Sequence, residues 1–212
     1  MTTLRPRRRT AVLPAAVLSL AALLTAPAAA ADVTAAPAAA RAAAPSSCPQ
    51  VFDPMTAAVD KTVQFSRITP DPVVRKSCGT LYRADGRGPD VIFVEGFRPK
   101  EAVNGQYDVE KYVLKNQPSP FVSTSYNHDL FKQWVPWMKG GAFNYYIDAP
   151  GGIDVNKTIG DQHKYADQVE VAFPGGIRSE FIIGVCPIDK ETRAEMMSAC
   201  KSNPKYRMPE AV

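Results

Sequence analysis

From residue 79 to residue 187 the chain runs in short stretches where apolar and polar positions take turns. A period of two is the pattern of a strand with one face on a core. GTLYRAD (79–85), FVSTSYN (121–127), FNYYIDAP (143–150), DQVEVAFPGG (167–176) and EFIIGVCP (180–187) therefore read as strands. The alternation is sharpest in DQVEVAFPGG. It predicts Gln168 and Glu170 on one face, with Val169, Val171 and Phe173 turned into the core. Helical spacing is confined to a few segments. DVEKYVLK (108–115) puts Val109, Tyr112 and Val113 on one face. Residues 52–65 suggest a short helix, with Asp53 as N-cap and Pro54 at the first helical position. VIFVEGF (91–97) fits a strand or a short helix after Pro89. HDLFKQWVPWMKG (128–140) spaces Leu130, Phe131, Trp134 and Trp137 as a helix would, until Pro136 breaks or kinks it. Residues 151–160 read as turns, 161–166 as loop or irregular helix, and 189–200 as a short terminal helix. The expected class is α+β, strand-rich, with helices toward the N-terminal part. No regular βαβ rhythm and no glycine-rich dinucleotide loop occurs.

The first 31 residues follow a different pattern. Arg5, Arg7, Arg8 and Arg9 precede an apolar run over 11–24 and then the small residues TAPAAAA. That order marks a secretory signal peptide, and the run is short for a membrane span of roughly 20 residues. Cleavage after Ala29 or Ala31 fits equally. Residues 32–47, almost all Ala, Pro, Ser and Thr, offer nothing to pack a core and read as a disordered linker. The folded domain is expected over 48–212, in a secreted protein that is monomeric and free of the membrane once the signal is removed.

Export changes how charge and cysteine are read. The chain has 25 basic and 21 acidic residues, and the four arginines of the signal leave with it, so the mature part is balanced at 21 of each. A general attraction to nucleic acid is therefore not supported, and any such partner must be recognised locally. Cys48, Cys78, Cys186 and Cys200 all lie in the mature part, an even set that points to two disulfides. Three pairings are possible and the sequence does not decide among them. Cys48–Cys78 with Cys186–Cys200 is the expected pair, because each closes a modest loop at one end of the domain. A metal site is not expected: there is no CxxC and no HExxH, and neither His128 nor His163 sits near a cysteine.

Three short pieces carry chemistry: Tyr82-Arg83-Ala84-Asp85 with Arg87, Ser123-Thr124-Ser125, and Gln168-Val169-Glu170. Ser123 and Ser125 share a strand face, with Thr124 opposite. The Ser123 hydroxyl could orient Glu170, and Arg83 could pair with a pyrophosphate. Each piece alone also fits an ordinary solvated strand. The order of the three, about 40 and then 45 residues apart, is the signal.

That trio resembles the arginine, STS and Q/E-x-E pattern of mono-ADP-ribosyltransferase toxins of the cholera and pertussis type. YRADGRGPDVIFVEGF resembles the family's entry segment and FVSTS its second strand. DAPGGIDVN and QVEVAFPGGI are most similar to small secreted actinobacterial enzymes related to the pierisins and scabin. The likeness spans about residues 79–185. It implies an ADP-ribosyltransferase fold with a two-sheet β core and NAD as co-substrate. It implies Glu170 as catalytic residue, Ser123 holding it, and Arg83 on the phosphate or nicotinamide-ribose side of NAD. Asp85, Arg87, Thr124, Ser125 and Trp137 join the NAD-binding set. Tyr165, Gln168 and Trp134 face the acceptor. Gln168 stands where members that modify arginine carry Glu, which favours an amide or a nucleobase acceptor. The pierisin likeness favours guanine, in DNA or in a nucleoside or nucleotide. A secreted NAD glycohydrolase, or a transferase with a protein acceptor, shares every site residue and stays open.

Overall fold

The computed structural model describes residues 53–209 of the 212-residue chain. The signal, the linker and Cys48 lie outside the described residues. The elements in chain order are β1 (Leu81–Asp85), α1 (Pro89–Glu95), α2 (Val109–Lys115), β2 (Phe121–Ser125), α3 (Phe131–Trp134), β3 (Phe143–Ile147), β4 (Ile153–Asp154), α4 (Val155–Ile159), β5 (Glu170–Pro174), β6 (Ile182–Asp189), β7 (Ala194–Glu195) and β8 (Lys201–Ser202), joined by short 3-10 turns.

The strands form an antiparallel sheet ordered β4-β5-β2-β1-β3-β6-β7, with β8 also on β6. The class is α+β, and the expected two-sheet core takes the form of one strand path with a hinge. β1 matches β3 from Leu81↔Ile147 to Asp85↔Phe143, and β2 matches β5 from Phe121↔Pro174 to Ser125↔Glu170. Between β1 and β2 the only registered pair is Tyr82↔Ser125. From that pair, at the end of β2, the two strands part and leave a gap in the middle of the sheet.

Burial on both faces explains why the halves hold their shape. Val122, Val171 and Phe173 pack with Leu81, Ile92, Phe97, Tyr145 and Ile177 in one core. Phe121 and Ala172, one residue out of phase, pack with Val109, Tyr112, Val113 and Val155 in a second core beneath α2 and α4. Every residue of β5 is buried. Gly176 lies where β5 turns toward α1. Its φ is +84°, and a Cβ there would sit 2.0 Å from the Phe97 carbonyl oxygen, so only glycine fits.

Several segments depart from the sequence expectation for local reasons. Asp53 does accept from the Met55 amide at 2.8 Å, but no α-helix follows. Asp60 accepts from the Thr62 amide and hydroxyl instead, a side-chain turn that competes with the helix. Of the two readings for 91–97 the helical one holds: α1 runs Pro89–Glu95 and ends at Gly96 with φ +71°. The 151–160 stretch is not simply turns: it holds β4 and α4, with Asp154 accepting from the Lys157 amide at the cap. The 189–200 tail is a hairpin, not a helix. Asp189 accepts from the Glu191 and Thr192 amides, and β7 returns along β6. Helices α3 and α4 lie mid-chain rather than toward the N-terminus. Cys186 and Cys200 are bonded, and Cys78 is disulfide-bonded too.

Candidate active site

The gap between the sheet halves is a cleft of about 340 Å³, lined by Arg83, Tyr112, Asn116, Ser123, Thr124, Trp134, Asn144, Tyr165, Gln168 and Glu170 among others. Its floor comes from β1, β2 and the start of β5, and one wall from α2. The opposite wall is the segment after β2, where Asn127, Leu130, Phe131 and Trp134 border it.

Where a ladder is missing, side chains take over. Arg83 Nη1 donates to the Ser123 carbonyl at 2.8 Å and Nη2 to Asp85 at 3.2 Å, so the guanidinium bridges the parted strands. Its Nε is buried without a partner. Asp85 also grips Arg87 through Nε at 2.9 Å and Nη2 at 2.8 Å. Burial works to raise the Asp85 carboxyl, but the Arg87 hydrogen bond and the Arg83 charge outweigh it and hold it at about 2. The YRADGR turn is thus a rigid clamp with one arginine at the cleft.

The STS hydroxyls are divided in labour. Thr124 Oγ1 donates to the Val171 carbonyl at 2.8 Å, and Ser125 Oγ donates to the Gln168 carbonyl at 2.6 Å. Both lock β2 to the third segment. Ser123 turns to the cleft and stabilises the charge on Glu170. Glu170 is 8 % exposed, and Tyr112 Oη donates to its Oε1 at 2.8 Å. Burial raises the Glu170 carboxyl above its ordinary value, against the opposing pull of Ser123, Tyr112 and Arg83.

Gln168 reaches the cleft by a route the alternation did not foresee. It ends a 3-10 turn (Ala166–Gln168), and Val169 follows with φ +45° in the left-handed region. Val169 is 42 % exposed, not in the core. The strand begins only at Glu170, and the left-handed residue, rather than the pleat, turns Gln168 and Glu170 toward one space.

The structure therefore brings Arg83, Ser123, Thr124, Gln168, Glu170, Tyr165 and Trp134 to one cleft. Asp85 and Ser125 stand behind it as buried supports, Arg87 pairs with Asp85 outside the lining, and Trp137 is 78 % exposed away from it. Sequence reasoning missed Tyr112, Asn116 and Asn144. Tyr112 shows in the pattern only as a core position; its hydroxyl on an apolar helix face is the clue.

A sheet hinged at its centre, an arginine clamp on the first strand, an STS strand and a buried glutamate opening the fifth define an ADP-ribosyltransferase catalytic domain. The chain belongs to the Scabin-like family, whose model matches residues 81–206. It is 66 % identical over 165 residues to a guanine-specific ADP-ribosyl transferase of Streptomyces coelicolor, covering 78 % of each chain. Pierisin of Pieris brassicae is 39 % identical over 111 residues, 48 % of this chain and 13 % of that one. Scabin toxin from Streptomyces scabies, solved in complex with NADH, is 65 % identical with a TM-score of 0.75, over 80 % of this chain and all of that one. A guanine-specific ADP-ribosyltransferase solved with NADH and GDP is 64 % identical with a TM-score of 0.72, over 77 % of this chain and 99 % of that one.

Proposed function

We propose that this protein cleaves NAD and transfers ADP-ribose to a guanine base. The observation that carries the reading is the buried Glu170 held beside Ser123 and Arg83 in a cleft whose rim bears Gln168 and Tyr165. It is supported by the relatives that act on guanine and by one solved with NADH and GDP.

Nicotinamide leaves as a neutral group, and positive charge develops on the ribose. A carboxylate aimed at the ribose 2′-hydroxyl stabilises that charge as it forms. Glu170 has this role. Arg83, with an unpaired buried Nε and a fixed guanidinium plane, takes the phosphate side. Gln168 offers an amide donor and acceptor to the guanine edge, and Tyr165 a ring to stack on it. The guanine partner is free nucleotide or DNA, with contact made locally at the cleft. The catalytic domain is residues 48–212 of an exported, monomeric protein, reached through a signal at 1–31 and a linker at 32–47; Cys48 pairs with Cys78. Incubating the protein with NAD and a panel of guanosine, GDP, DNA and proteins, with mass analysis of products, tests the reading. A guanine adduct is expected. ADP-ribose alone would make the protein a glycohydrolase, and a modified protein side chain would move the acceptor.

A further inference from the structure

We infer that Tyr112 is a positioning residue for NAD cleavage: its hydroxyl holds one oxygen of the Glu170 carboxylate so that a lone pair stays aimed at the substrate hydroxyl. The inference rests on the reading that Glu170 carries the cleavage.

Asp108 caps α2 by accepting from the Lys111 amide at 2.9 Å, and the apolar side of the helix carries Val109, Tyr112 and Val113 into the core. The Tyr112 ring leans on Phe121 of β2 with centroids 5.0 Å apart. A phenylalanine would satisfy all of that packing. The hydroxyl is the extra atom, and burying it without a partner would cost stability. Its partner is Glu170 Oε1 at 2.8 Å. A hydroxyl has one proton to donate, so the hydrogen goes to the carboxylate; a carboxylate has about four lone-pair sites, of which this bond takes one.

The surroundings leave Tyr112 a distinct part in keeping the carboxylate charged and aimed. Arg83 faces Glu170 from β1 with Asp85 behind it, Tyr112 faces it from α2, and Ser123 adds a neutral donor from β2. Tyr165 and Gln168 line the same cleft from the preceding loop. Arg83 is already engaged by the Ser123 carbonyl and Asp85. Burial favours the protonated acid, and the Tyr112 hydrogen bond opposes it. Loss of that bond raises the pH at which Glu170 ionises, and the acid limb of activity moves up with it.

The test compares wild type with Tyr112→Phe, with 3,5-difluorotyrosine incorporated at position 112, and with Glu170→Gln. NAD hydrolysis is followed from pH 5 to 9, with kcat and KM separated, alongside NAD binding and melting temperature. For Tyr112→Phe the expected result is a kcat loss of about 10- to 100-fold, the scale of a lost hydrogen bond to a charged group. KM should stay within about threefold, and the acid limb should move to higher pH. Difluorotyrosine, nearly isosteric and a stronger donor, should move the limb the other way, and it carries the test if Tyr112→Phe does not fold. An acid limb unmoved in the folded variants, or a change in KM alone, overturns the inference. Glu170→Gln separates the two claims. If it is inactive while Tyr112→Phe behaves as wild type, only the Tyr112 inference falls. If it cleaves NAD normally, the assignment of Glu170 falls, and this inference with it.

Discussion

Glu170 is held in the cleft at a cost to the fold. Its folded-state pKa is raised by burial, so above that value the charged form weakens the native state rather than supporting it. Glu170→Gln keeps an acceptor for Tyr112 and removes the buried charge. It should lower NAD cleavage on the order of 10² or more while raising Tm at neutral pH. A stable mutant within threefold of wild-type cleavage would refute the assignment. Val169 is a second residue held under strain. A β-branched side chain at φ +45° is unfavourable by about 1–2 kcal/mol, and asparagine tolerates that region better. Since the side chain is 42 % exposed, Val169→Asn loses little packing and should raise Tm by about 2–4 °C. A melt showing no gain would mean that the strain is relieved elsewhere.

Two segments bear on the cleft: the loop before β5 lines it, and the β6–β7 hairpin reaches it only through the lining residue Asn144. The loop before β5 presents Tyr165 and Gln168, and neither touches the carboxylate in the hydrogen-bond network of Glu170. Gln168→Ala and Tyr165→Ala should therefore cut transfer to guanine strongly while ADP-ribose release by hydrolysis persists. Equal loss of both activities in a well-folded Gln168→Ala protein would remove its acceptor role. The β6–β7 hairpin is closed at its base by the bridge from Cys186 in β6 to Cys200 beyond β7. Glu195 on β7 accepts from Asn144 Nδ2 and from Tyr146 Oη, both at 2.8 Å, and lies 3.2 Å from His128 Nε2 at the base of the cleft's outer wall. The bridge closes a loop with a sequence separation of 14, for which about 3 kcal/mol of stabilisation is expected. Replacing both cysteines by serine should lower the unfolding free energy by about that amount in urea titration. A change within 0.5 kcal/mol, roughly the noise of a neutral surface substitution, would show that the hairpin holds without it.

For the molecule as a whole, the acid side of stability runs through the clamp. The Asp85 carboxyl is depressed to about 2 in the fold, from an unfolded value of about 4. A depressed acid contributes stability that is fully present above the unfolded value and is lost as pH falls through the folded one. The stability gap between wild type and Asp85→Asn should accordingly narrow between about pH 4 and pH 2 and be constant above. A gap that persists unchanged at pH 2 would place the effect in packing instead. The same clamp stands where the two sheet halves part, so the carboxylate that titrates in acid also fixes the arginine that lines the cleft.

The five main strands and the face of α2 were legible because their burial follows from nearest neighbours in the chain: alternation for a strand, three- and four-residue spacing for a helix. The trio Arg83, Ser123 and Glu170 was legible as well, through its resemblance to a family pattern. What local pattern could not supply is every feature that depends on partners distant in sequence. Tyr112 looks like core because its spacing is core spacing; only the approach of α2 to β5 gives its hydroxyl a carboxylate 58 residues away. Gln168 and Glu170 look like one pleat, yet β2 captures the Gln168 carbonyl through Ser125 and a left-handed Val169 makes the turn. The 189–200 tail reads as helix until β6 offers it an edge. The cleft itself comes from the single Tyr82↔Ser125 pair between β1 and β2, since a hydrogen-bond ladder belongs to two strands at once and is written in neither.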